Sequence, residues 1–340
     1  MLLSAFQMFT FVVIGNLVVE IHGLMLEHWF ILFSVAAWAS ILGLNLSSGL
    51  NSVIAIYISI PFVLVPQLLL GGAMVSFDEL HPRMSSKEYV PIIGDLMTSR
   101  WAYEAVMVTQ FRNNDYNKYF FVYEQQVSEQ LFEYSYRIPY LESLLDKLAN
   151  TPHKFTVTEF NLLSNELNAE LHTSADSAII LSNPLTPELH AELNRRLAAE
   201  SEALKVKKNL IISKRDAKYQ EFFDKLGKET FHQLYVNSHN KRVEEIVLNK
   251  NSFEKLVIHN DKILRRKDPA YYIAEHPFGR SHMFAPAKTF LGYTIPTYTF
   301  NLAFIWLLNF VLLLALHADL LRKATQIGRY LEKKQNRELV

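Results

Sequence analysis

The chain has 340 residues, half of them hydrophobic, and its 34 Lys and Arg balance 34 Asp and Glu. That balance lacks the basic excess of a nucleic-acid-binding protein, so no nucleic-acid partner is expected. The absence of cysteine excludes disulfides, thiolate metal sites and a cysteine nucleophile.

A mean hydropathy of +0.06 averages two unlike populations. Charged residues are missing from 1–19, 29–77 and 289–318, whereas 78–288 is as charged as an ordinary soluble domain. A helix needs about 20 apolar residues to cross ~30 Å of hydrocarbon. Residues 2–19 are just long enough. A secretory signal is the alternative there, but no Lys or Arg precedes the apolar run and no small-x-small cleavage site follows it. The run 29–77 is too long for one span and is expected to break at Asn45-Leu-Ser-Ser-Gly-Leu-Asn-Ser52, giving helices over 29–44 and 53–75. The second of these carries Pro61, Pro66 and then Gln67 and Gly71-Gly72. Membrane helices tolerate such breakers where protein or cavity water satisfies the freed backbone groups, so this helix is expected to face other protein or a pathway.

Residues 89–111 are apolar enough to touch a membrane but hold Asp95, Arg100 and Glu104, which suits a re-entrant or interfacial helix. Arg100 and Glu104, four apart, can pair on one helix face. From 113 to 268 the pattern is helical. Phe120, Phe121, Tyr123, Val127, Leu131, Tyr134 and Ile138 recur at spacings of mostly three and four within 119–148. Thr186 reads as an N-cap with Pro187 at the first helical position, and a long helical pattern runs from there towards Leu248. Leu189, Leu193, Leu197, Leu204 and Ile211 mark one stripe of it, which predicts hairpin or coiled-coil packing.

Chemistry is scarce in this block. The only Gly-Lys, Gly227-Lys228, precedes Glu229 and lacks the upstream glycine of a phosphate-binding loop. Five of the twelve histidines fall between His232 and His282, without metal-ligand spacing, and no Ser-His-Asp or paired-carboxylate set stands out. No catalytic, cofactor-binding or metal-ligating residue is assigned, and no enzymatic activity is expected of the chain itself. Residues 276–288, with Pro277, Gly279 and Pro286, read as a turn that docks the soluble block on the membrane. The fourth and clearest span covers about 295–317. Asn16, Gln67, Asn301 and Asn309 are polar groups in or near the spans; hydrogen bonding between helices is the plain reading and substrate contact the alternative.

Orientation follows from the flanks, where Lys and Arg stay cytoplasmic. Arg322, Lys323, Arg329, Lys333, Lys334 and Arg337 after the last span place the tail inside, and four spans then place the N-terminus inside and the large block outside. Arg83, Lys87 and Lys288 weaken the contrast. The domains expected are 1–77, three transmembrane helices; 78–112, a re-entrant or interfacial segment; 113–288, an extracytoplasmic helical domain; 289–318, the last transmembrane helix; and 319–340, a basic cytoplasmic tail. The fold class is all-α, polytopic, with a helical insertion between the last two spans.

This order resembles the permease of type-2 ATP-binding cassette (ABC) exporters of the G-subfamily kind. The residues that carry it are Ser47-Ser48-Gly49, Gly71-Gly72-Ala73-Met74-Val75-Ser76-Phe77 and, most specifically, Ser99-Arg100-Trp101-Ala102-Tyr103-Glu104-Ala105. The stretch 279–288 with Phe300-Asn301 and Trp306 is similar to bacterial members that fuse an ATPase to the permease. The resemblance covers about 1–111 and 276–325. It implies a bacterial inner (plasma) membrane protein that moves substrate between two permease halves, with Gln67, Gly71, Gly72, Ala73 and Met74 at the path and external gate and Arg100 with Glu104 as a re-entrant pair. ATP and Mg would sit on a partner ABC ATPase domain. The family has six spans per half, so this chain resembles the last four; it is expected to be a C-terminal piece, a truncated frame or half of a split transporter. The enlarged external block would shape substrate release or bind an envelope partner. A membrane-tethered scaffold that binds such a partner and transports nothing is the alternative function.

Overall fold

The computed structural model describes residues 1–50, 52–77, 80, 87–171, 185–274 and 276–326. The protein is mostly helical (73%), and three helices are long and apolar enough to cross a membrane. The described residues fall into two compact units, one drawn from Met1–Asn114 and Ala274–Val340, the other from Asp115–Ile273. Arg329, Lys333, Lys334 and Arg337 of the basic tail, Arg83, and most of 78–86 lie outside the described residues.

In the first unit, α1 (Leu2–Val19), α2 (Met25–Gly49) and α12 (Thr297–His317) are the long apolar helices. The expected break after Leu44 does not occur there: α2 runs on through Asn45-Leu-Ser-Ser to Gly49. The polar side chains that suggested a loop instead serve the helix. Asn45 Nδ2 donates to Ile41 O (3.0 Å) and to Leu312 O of α12 (3.0 Å), and Ser48 Oγ donates to Asn45 O (3.0 Å). Further along, Asn309 Nδ2 donates to Ser34 O (3.2 Å), so α2 and α12 are pinned at two levels. Such interhelical bonds contribute about 0.6–2 kcal/mol each in an apolar setting. Between α1 and α2, Trp29 Nε1 donates to Ala5 O (2.9 Å) and Asn16 Oδ1 faces His28 Nδ1 (3.3 Å).

The next helix, α3 (Val53–Leu69), has 17 residues and no buried side chain, and it stops six residues short of the expected Val75. Gly71 and Gly72 explain the stop. A Cβ on Gly71 would lie 2.6 Å from Gln67 O, and Gly72 has φ +76°, a conformation that side-chain-bearing residues rarely adopt. After a four-residue helix, α4 (Ile92–Asp95), comes α5 (Thr98–Arg112), which packs on α2 and α12 around Ile31, Trp101, Ala105 and Ile305.

The second unit begins with α6 (Asn117–Phe132) and α7 (Ile138–Asn150), joined by a π-helical turn over Glu133–Arg137. Pro139 accounts for that widening, because it has no N–H and its ring crowds the carbonyl four residues back. A capping box starts α8 (Val157–Leu171): Thr156 Oγ1 accepts from Glu159 N (3.2 Å) while Glu159 Oε2 accepts from Thr156 N (2.9 Å). The 40-residue α9 (Pro187–Leu226) has the expected N-cap, Thr186 Oγ1 accepting from Leu189 N (3.4 Å), and it buries Leu193, Leu197, Leu204 and Ile211. Those leucines join Leu141, Leu145 and Leu163 in one core.

The helical pattern expected to reach Leu248 is cut twice, at Gly227 (φ +77°) and at His239-Asn240, leaving α10 (Lys228–Ser238) and α11 (Lys241–Val247). Nor is the fold purely α. An antiparallel hairpin, β1 (Leu256–His259) with β2 (Lys262–Arg265), ends the second unit, and β3 (Ala287–Phe290) with β4 (Tyr293–Pro296) leads into α12. Each turn has two residues of positive φ, Asn260-Asp261 and Leu291-Gly292, as tight hairpins require.

Candidate functional site

The site is built on α5, whose first turn needs outside acceptors because a helix start leaves four N–H groups unpaired. Gln67, at the end of α3, supplies one: its Oε1 accepts from Ser99 N (3.0 Å), and its carbonyl accepts from Ser99 Oγ (2.6 Å). Gly71 lies beside the same pair, where a Cβ would come within 2.8 Å of Ser99 Oγ. Gly72 packs against Phe77 and Met283, while Ala73 and Met74 are exposed. Of the residues assigned to a path, Gln67 and Gly71 therefore meet α5, whereas Ala73 and Met74 are left exposed.

One turn into α5 lie Arg100 and Glu104, both fully buried, with Arg100 Nη1 3.4 Å from Glu104 Oε2. The i, i+4 spacing predicted that pairing; it did not predict the company. Lys288 of β3, also fully buried, donates from Nζ to Glu104 Oε2 (2.7 Å), and Asn301 of α12 donates from Nδ2 to the same oxygen (2.8 Å) and to Trp101 O (2.9 Å). Asp95 Oδ1 stands 3.7 Å from Arg100 Nη1, and its Oδ2 stands 3.4 Å from Arg280 Nε. Three cations thus face two carboxylates.

Trp101 floors the cluster. The Arg100 guanidinium carbon is 4.1 Å from its ring centroid and the Lys288 Nζ 4.5 Å, both within cation–π range. None of the three Arg100 nitrogens has a hydrogen-bond partner among the described residues, so charge and stacking hold this side chain. Burial and then the Arg100 charge push the Lys288 ammonium down to about 8, against the pull of Glu104. Burial raises the Asp95 carboxyl above its ordinary value, although Arg100 and Arg280 oppose it.

Chemically the arrangement is a latch. It joins α5 to β3 and α12 through one carboxylate oxygen, and nothing in it pairs a nucleophile with a base. Among the described residues no group of three His, Asp or Glu could hold a metal ion. Lys288 and Asn301 were each visible in the sequence, one in the docking turn and one among the polar groups of the last span. What joins them is the Glu104 carboxylate, which Lys288 reaches from a β-strand where the sequence reads as a turn.

The fold and this cluster define a mostly helical protein with three helices able to cross a membrane, in which a buried ion network ties the third to a shorter helix. The chain matches no protein-family profile, no curated protein and no solved structure.

Proposed function

We propose that the chain is the transmembrane permease portion of an ABC exporter, moving substrate with ATP hydrolysed on a nucleotide-binding domain outside this chain. What supports the reading is the way the chain closes on itself. The two stretches that resemble such permeases, 1–111 and 276–325, fall in one compact unit, and the block between them forms a second. The most specific motif of the resemblance, around Arg100 and Glu104, contributes the centre of the first unit's charge cluster. On this reading α3 is a fourth span; its 17 residues reach about 25 Å, the short end of what a bilayer accepts. A second permease half completes the pathway, and the second unit lies outside the cell membrane.

The test is the ATP hydrolysis of the complex. The full chain, purified in mild detergent from its native membranes, is expected to bring down ATPase activity, and Glu104→Gln to retain the partner but lose substrate-stimulated hydrolysis. A chain that purifies without any ATP-hydrolysing partner would point instead to a membrane-tethered scaffold. In sealed vesicles, protease that cuts the second unit only from the cytoplasmic side would overturn the orientation.

A further inference from the structure

The β3–β4 hairpin presents apolar side chains that the latch does not use. Leu291 is 65% exposed and Tyr293 76%, and beside them Phe278 is 65% exposed. Phe278 belongs to the same surface because it forms a bridge with Phe290, while Leu291 N donates to Pro277 O (2.9 Å). Three large side chains left in water at one hairpin tip call for a partner.

Their level relative to α12 is fixed by packing. The Phe290 ring lies 6.0 Å from that of Phe300 in the first turn of α12. Gly279, at φ +74°, is pressed so close to Phe300 that a Cβ there would be 2.2 Å from its ring. β4 passes directly into α12, Pro296 into Thr297. The tip therefore stands beside the head of an apolar helix, where a bilayer changes from headgroups to acyl chains.

Charge selects among partners. The uncharged run that contains α12 begins at Thr289, before the hairpin turns, so the whole tip is free of formal charge. The cations that flank it in sequence are engaged with carboxylates: Lys288 is fully buried against Glu104, and Arg280 pairs with Asp95. An aromatic, uncharged surface continuous with an apolar helix has the chemistry of the interfacial belt, in which rings sit among headgroups.

We propose that the β3–β4 tip, with Phe278, seats in the membrane interface and takes lipid at the headgroup–acyl boundary. The proposal rests on α12 crossing the bilayer and not on transport. Because the chain has no cysteine, single sites can be labelled. Leu291→Cys, with Tyr293→Cys as a second variant, would carry an environment-sensitive fluorophore in liposomes containing lipids nitroxide-labelled either near the headgroup or deep on the acyl chain. Leu307→Cys, ten residues into α12 and so about 15 Å deep, is the reference. The expected result is at least twofold stronger quenching of the 291 and 293 labels by the shallow nitroxide than by the deep one, with the opposite order at 307. Quenching at 307 without quenching at 291 and 293 overturns the proposal while leaving the span in place. Labels at 291 and 293 that are blue-shifted but unquenched overturn it in favour of protein, a second copy of the chain, covering the tip. No quenching at 307 removes the span and the proposal together.

Discussion

The two units bury charge to different degrees. In the second unit many ion pairs lie on the surface along single helices, as in Glu192 with Arg195 and Arg196, or Glu221 with Lys218 and Lys225; Arg137 with Glu166 joins two elements but keeps some exposure, and the hydrophobic core is mostly leucine. In the first unit the long apolar helices are almost free of charge, yet charged side chains of α5 and β3 beside them are buried together. Glu104, Arg100 and Lys288 come from two separate elements and are wholly out of water. Exposed pairs are worth about 0–1 kcal/mol, because water already solvates both partners and salt screens them. Buried ones are costly to assemble and costlier to break singly, because the survivor is left unpaired in a low dielectric. The difference teaches where specificity is invested: the second unit keeps its ion pairs at least partly in water around a leucine core, whereas the first sets fully buried charges against one another beside its apolar core.

The sharpest way to break this comparison is to remove one acid from each unit. Glu104→Ala strands Arg100 and Lys288, and a loss of about 3–5 kcal/mol is expected. Glu192→Ala should leave unfolding unchanged. Denaturant or thermal unfolding of the two variants in detergent measures both, and equal effects would erase the contrast.

A smaller effect comes from pH. Lys288 has its folded value near 8, below the ordinary lysine value of 10.5. Below pH 8 both folded and unfolded states hold the proton, so this group adds no slope. Between about 8 and 10.5 the unfolded state binds more protons than the folded state, so stability rises with pH, by at most about 1.4 kcal/mol per unit. Comparing unfolding midpoints at pH 7, 8.5 and 10 in the wild type and Lys288→Met isolates it; the variant should lose the rise.

The smallest expected loss lies in the second unit. Thr156→Ala removes the hydroxyl that accepts from Glu159 N and should cost about 1 kcal/mol, read from the unfolding of this unit. A loss as large as that of Glu104→Ala would mean that the second unit, too, depends on single polar contacts.

Much of this was legible where one physical rule acts alone. Charge-free runs gave the apolar helices, Thr186-Pro187 gave the start of α9, and the four-residue spacing gave Arg100 with Glu104. The misreadings share a cause. Asn45 and Ser48 are polar in a region read as a break, but their side chains return to helix carbonyls, a choice made by packing against α12. Both hairpins carry their signal in two residues only, Asn260-Asp261 and Leu291-Gly292, the first inside a stretch read as helical and the second at the start of the last charge-free run. Lys288 could not be joined to Glu104 from sequence, because the contact spans 184 residues and no local pattern reports it.

That span of 184 residues also sets a schedule. A ribosome adding about 5–20 residues each second needs roughly 10–40 s between Glu104 and Lys288, and Asn301 follows later still. Throughout that interval the second unit is being made and can fold, while the first waits with its central carboxylate facing Arg100 but not yet Lys288 or Asn301. The membrane part starts before the second unit and closes after it, because the strand and the helix that complete its cluster follow the whole of that unit in sequence.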